Sequence, residues 1–165
     1  MDYLDIGGIM LKYMVLTAFI LVGYMVMYAP FQQAIPTFEA MSIDGDVVTE
    51  AVFEENSILH FFRSTCGYCV YEMQQWKRFK QQHPQTKIIA VLHKESLMQA
   101  GYFFKGVIYP FDLVINDPQD TLWTHLGASF TPQSYLLGKG RKVITSYGVM
   151  KPEDYLALSS KLGPI

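Results

Sequence analysis

At 165 residues and a net charge of −2, the chain has room for one domain plus an appendage. Its 13 basic and 15 acidic residues are spread along the sequence. The one basic cluster, Lys77, Arg78 and Lys80, falls on a predicted helix and reads as a solvated face, which argues against nucleic acid as a partner.

Residues 1–5 are a short polar tail. From Tyr13 to Ala29 there is no charge, and with Ile6–Leu11 added only Lys12 interrupts the apolar stretch. Residues 6–29 thus reach the ~20 residues that cross a hydrocarbon core as a helix. A cleaved signal peptide has a shorter apolar run and a small-x-small site. Met27-Tyr28-Ala29-Pro30 is a poor site, so an uncleaved transmembrane anchor is expected. Lys12 precedes the anchor's uncharged run. Beyond it no Lys or Arg occurs before Arg63, whereas Glu39, Asp44, Asp46, Glu50, Glu54 and Glu55 do. That bias places the N-terminus in the cytoplasm and the following domain outside. Residues 30–35 form a tether and residues 36–165 the domain.

Within the domain, Thr37–Val48 predicts a hairpin turning at Asp44-Gly45. Ser57–Phe62 (SILHFF) is a short apolar run, a buried strand. A helix starts near Cys66 and ends at His83-Pro84, with Cys69, Met73, Trp76 and Phe79 at three- and four-residue steps. Lys87–Leu92 is a second buried strand, Glu95–Phe104 a helix and Phe111–Ile115 a third strand. Asp117-Pro118 offers an N-cap with proline at the first helical position, ahead of Leu122, Trp123 and Leu126, and Gly127 closes that helix. Gln133–Leu137 and Lys142–Ser146 form a hairpin around Gly138-Lys139-Gly140. Lys151-Pro152 opens a last helix carrying Leu156, Leu158 and Leu162. Continuous apolar strands alternating with helices call for an α/β sheet covered on both faces.

The only two cysteines are Cys66 and Cys69, where the first core strand meets its helix. A disulfide across so short a loop removes little entropy from the unfolded chain, so a structural bridge is a weak reading. Zinc needs about four ligands, and no second Cys or His pair has that spacing. A redox couple remains. At the helix N-terminus the unpaired N–H groups and the dipole favour a Cys66 thiolate. That thiolate attacks, Cys69 one turn on resolves, and Gly67 and Tyr68 between them tune the pair. His60 lies on the core strand, either as a proton shuttle for Cys69 or as a core histidine bonded to the backbone. Arg63 adds positive potential near Cys66 or is a surface arginine at a strand end. His83, His93 and His125 are scattered and read as structural.

The CxxC at that turn, followed by Thr131-Pro132 entering a strand, resembles the thioredoxin superfamily over nearly all of residues 36–165. The nearest resemblance is to membrane-anchored thiol-disulfide oxidoreductases of the TlpA/ResA type. It rests on the anchor, the Pro36-Thr37-Phe38 opening with its Asp44-Gly45 turn, Glu72 three residues after the second cysteine, and the segment from Asp117 to Leu137. Thr65 stands where that type usually has tryptophan. Thr65-Cys66-Gly67-Tyr68-Cys69, with Thr131 before the proline, is similar instead to DsbC-type isomerases. Phe61-Phe62-Arg63-Ser64-x-Cys66 is also similar to thioredoxin-like proteins of conjugation systems.

The resemblance implies a thioredoxin-like fold, a central mixed sheet flanked by helices, preceded by one transmembrane helix. It implies a cis Pro132 against the CxxC, Thr131 offering its backbone to a bound peptide, and Glu72 near the active site as an alternative proton carrier. The implied activity is disulfide exchange with protein substrates at a bacterial inner membrane, catalytic domain on the periplasmic side. A reductase of the cytochrome c maturation kind is expected, served by a membrane redox partner of the DsbD/CcdA type, with no cofactor and no resident metal. The alternatives are an oxidase or isomerase for secreted or conjugation-type proteins, and a copper-handling assembly factor using the same thiols.

Overall fold

A strand without a polar face must be covered on both sides, and Ser57–Phe62 is buried at every position. The computed structural model describes residues 12–19, 33–117 and 119–162. The chain divides into two compact units, Met1–Phe31 and Gln32–Ile165. In the first, residues 12–19 are helical (α1). The rest of the expected anchor, the 1–5 tail and residues 30–32 of the tether lie outside the described residues. Among the described residues no helix is long and apolar enough to cross a membrane.

The second unit runs β1 (Glu39–Met41), β2 (Val47–Thr49), β3 (Ser57–Phe62), α2 (Gly67–Gln82), β4 (Ile88–Leu92), α3 (Leu97–Phe104), β5 (Leu113–Asn116), α4 (Thr121–His125), β6 (Gln133–Leu137), β7 (Val143–Tyr147) and α5 (Pro152–Leu162). Short 3-10 turns at Glu50–Val52 and Lys139–Arg141 add to this order, which otherwise follows the sequence pattern. Five strands form a mixed sheet in the order β5-β4-β3-β6-β7. β3, β4 and β5 run parallel, β6 pairs antiparallel with β3, and β7 pairs antiparallel with β6 at the edge.

Alternation along β3 sends Ile58, His60 and Phe62 to one face and Leu59 and Phe61 to the other. On the first face Ile58 and Phe62 join Cys69, Met73, Trp76 and Phe79 of α2, Phe104 of α3 and Leu158 of α5. On the second, Leu59 and Phe61 join Leu122 of α4, Leu126 just past its end and Ala40 of β1. Leu156, counted above with the apolar stripe of α5, is 72% exposed; Tyr155 and Leu158 are the buried residues of that helix. Both sheet edges meet residues of one segment. Ile43 N–H donates to Val114 O at 3.0 Å and Met41 N–H to Asn116 Oδ1 at 2.8 Å along β5. At β7, Val143 N–H donates to Gln33 O at 2.8 Å, and beside it Ile35 N–H donates to Arg141 O at 3.0 Å.

The start of α4 departs from expectation. Asp117 is not its N-cap; that position is Asp120, in the left-handed region at φ 50° with no side-chain cap bond. Pro118 lies outside the described residues. The Asp117 carboxylate nevertheless answers the free N–H groups of the first turn, Oδ1 accepting from Thr121 (2.8 Å) and Leu122 (3.3 Å) and Oδ2 from Trp123 (2.9 Å). The cap is thus built by a residue three positions upstream. Asp117→Ala removes all three acceptors and is expected to cost about 2 kcal/mol in urea unfolding, at the upper end for a lost cap. Asp117→Asn, retaining one carbonyl oxygen, is expected to lose less.

Candidate active site

Cys66 is the N-cap of α2, with φ −89° and ψ 109°. Its sulfur fills the place a serine or aspartate oxygen usually takes, accepting from the Cys69 N–H at 3.3 Å. On its other side Cys66 Sγ lies 3.5 Å from the carbonyl oxygen of Thr131. The chain reaches this cap through a turn in which Cys66 N–H donates to Arg63 O at 3.1 Å. Within that turn Ser64 is held by Glu95: its N–H donates to Oε2 at 2.9 Å and its hydroxyl to Oε1.

The two thiols are free and unlike. Partial burial disfavours a Cys66 thiolate, but hydrogen bonds from Cys69, Thr131 and the Tyr68 backbone outweigh it and hold the pKa below that of an ordinary thiol. Cys69 is fully buried. Burial first, then the neighbouring Cys66 sulfur, push its thiol above the ordinary range. The two thiols are thus shifted in opposite directions, Cys66 toward the thiolate and Cys69 toward the protonated form.

The Thr131–Pro132 peptide bond is cis and stands over Cys66. Phe130, half-exposed, rests on the backbone of Gly148; a Cβ there would stand 2.9 Å from the ring, so glycine is what lets the two segments meet. Tyr68 is exposed beside the pair, and nothing lies within 4 Å of where a Gly67 Cβ would be.

Neither proposed proton carrier has a hydrogen bond to Cys69. His60 is fully buried against Trp76 and Phe111, its Nδ1 2.9 Å from Ser134 Oγ. Burial lowers its pKa to about 3, so it is neutral. Glu72, on the buried face of α2, turns toward the start of α5: Oε1 accepts from Met150 N–H at 2.6 Å, and Oε2 has no hydrogen-bond partner among the described residues. Burial dominates there too and pushes its pKa up to about 7. The other histidines are tied to structure. His83 Nε2 lies 2.8 Å from Ser159 Oγ, His125 Nε2 lies 2.8 Å from Ala34 O, and His93 stacks on Trp123 with centroids 3.5 Å apart. Among the described residues no three His, Cys, Asp or Glu converge as a metal site. Glu95 and Phe130, missed in the sequence reading, had no local signal, since their partners are 31 and 18 positions away.

No family model and no curated protein matches the sequence. Solved structures do match in fold. A thiol:disulfide interchange protein DsbE from Chlorobium tepidum superposes with a TM-score of 0.68 at 22% identity, covering 79% of this chain and 94% of its own. StoA from Bacillus subtilis gives 0.61 at 21%, covering 77% and 98%. The exposed lipoprotein thioredoxin Etrx1 from Streptococcus pneumoniae gives 0.64 at 20%, covering 76% and 98%. The domain accordingly has the thioredoxin-like α/β fold, with its mixed central sheet.

The two buried titrating groups bend stability in opposite directions. Glu72 has its pKa raised by folding, so its contribution falls as pH rises from about 4.5 to about 7, where only the unfolded chain has ionised. His60 has its pKa lowered, so its contribution is present above about 6.5 and is lost as pH falls toward about 3. Over the shared range the two offset. Glu72→Gln is expected to raise stability at pH 8 and to expose the uncompensated loss below about 6.5, read from urea midpoints across a pH series.

Proposed function

We propose that the protein exchanges disulfides with protein substrates through Cys66 and Cys69. The supporting observation is the asymmetry of the pair: a partly exposed, ionisable sulfur capping α2 under Thr131, and a buried, protonated one a turn behind it. The Cys66 thiolate attacks one sulfur of a substrate disulfide; a new S–S bond forms, the old one breaks, and the other substrate sulfur leaves as a thiolate. Cys69 then loses its proton and attacks Cys66 Sγ, releasing the second substrate sulfur. Two electrons pass to the substrate and Cys66–Cys69 becomes the disulfide. The departing substrate thiolate serves as the acceptor for the Cys69 proton, since His60 and Glu72 are turned to other partners.

The reading extends to a reductase held by residues 6–29 at a bacterial inner membrane with its domain on the periplasmic side, recharged by a membrane dithiol carrier of the DsbD/CcdA type. The apolar N-terminal stretch, the Lys12 bias and Glu72 support it. A second reading, oxidase or isomerase, is favoured by Gly67-Tyr68 and Thr131 ahead of the cis-proline.

Cys66→Ser is expected to reduce exchange with a disulfide-bonded protein to background. Cys69→Ser is expected to accumulate mixed disulfides on Cys66, identifiable by mass spectrometry. Equilibration with glutathione buffers separates the directions: a potential near that of thioredoxin, about −270 mV, supports the reductase, and one near about −120 mV supports the oxidase.

A further inference from the structure

We infer that Glu95 is a positioning residue for Cys66, its carboxylate fixing the turn that presents the sulfur to the Cys69 N–H and to Thr131. This rests on Cys66 being the attacking thiol. The Arg63–Cys66 turn closes through Cys66 N–H and Arg63 O, which leaves the N–H of Ser64 pointing away from the turn. Glu95 takes that N–H and the Ser64 hydroxyl together, one on each carboxylate oxygen. A charged acceptor holding two donors of one residue fixes orientation as well as distance.

Among the described residues the Glu95 carboxylate has no bonded partner other than Ser64. Lys94, at φ 50°, turns the chain out of β4. Ser96 caps α3 in a reciprocal box with Gln99, the Ser96 N–H donating to Gln99 Oε1 at 3.1 Å and the Gln99 N–H to Ser96 Oγ at 3.2 Å. The Glu95 side chain takes no part in that box, although a glutamate beside a helix start would ordinarily serve it. It bonds instead to a residue two positions before the reactive cysteine, 31 residues away in sequence.

Charge alone would act the other way. A carboxylate near a thiol disfavours the thiolate, so removing it should lower the Cys66 pKa. The charged and titratable groups around this turn are Arg63, Lys94, His93 and Asp120, whose fields meet at His93; the groups acting on Cys66 itself are Cys69, Thr131 and Tyr68. Positioning and simple repulsion therefore predict opposite signs.

The test uses the full reduced chain and follows thiolate ultraviolet absorbance against pH, together with the pH profile of reaction with a small disulfide. Glu95→Ala is expected to raise the Cys66 pKa by about 1, a tenfold loss of thiolate below that pKa. Glu95→Gln is expected to stay near the parent value, because its amide oxygen accepts the Ser64 N–H and its NH2 donates to the Ser64 hydroxyl. Ser64→Ala, which keeps the carboxylate and loses one of the two bonds, is expected to move the pKa in the same direction by less, and stands in if Glu95→Ala does not fold. A fall or no change in Glu95→Ala, a downward move in Ser64→Ala, or a Glu95→Gln shift as large as that of alanine overturns the inference. Parent protein that exchanges no protein disulfide, while Glu95→Ala still raises the pKa, overturns the proposed function and leaves the positioning role standing.

Discussion

A helix start leaves backbone N–H groups without partners, and at α2 one of them is answered by a sulfur. An oxygen in that position would serve only stability. With Cys66 there, the bond that caps the helix also favours the thiolate of that sulfur. The rest of the domain keeps this contact in place. The buried strand β3 delivers the chain to the Arg63–Cys66 turn, Glu95 secures Ser64 within it, and the stripe from Cys69 to Phe79 seats α2 on the sheet. From the other side Thr131 closes over the sulfur at the entry to β6.

Behind the cysteines the core holds two polar groups that sequence position alone would assign to proton transfer. Their surroundings give them other company. His60 is enclosed by aromatic rings with one hydroxyl partner, and Glu72 grips the backbone where the chain turns into α5. Burial keeps His60 neutral and raises the Glu72 carboxyl to about 7, because a neutral group in an apolar setting costs far less than a charged one. Glu72 also connects α2 to the loop carrying Gly148, against which Phe130 rests just ahead of Thr131. The carboxyl is thus linked through the backbone to the wall of the cleft facing Cys66 rather than to Cys69.

The order of elements was legible because the strands are short apolar runs and the helices carry three- and four-residue spacing, two patterns set by backbone geometry alone. The cysteine pair was legible because its spacing fits few other chemistries. What escaped depends on contacts distant in sequence. Asp117 looks like a cap from its place before a proline, and only the fold shows it reaching past Asp120 to three N–H groups. Leu156 fits the apolar spacing of α5 but falls on the side away from the sheet, since a short helix covers only the stripe its neighbours can reach. In the sequence Glu95 marks only the start of a predicted helix; its role depends on Ser64 being brought beside it.

The segment from Gln33 to Asp46 touches both borders of the five-stranded sheet, lying against β5 on one side and β7 on the other. Rows of unpaired N–H and C=O groups on an outer strand are templates on which a foreign extended chain can add itself. By occupying part of each border with its own backbone, this domain leaves fewer free groups on which a foreign strand could add itself.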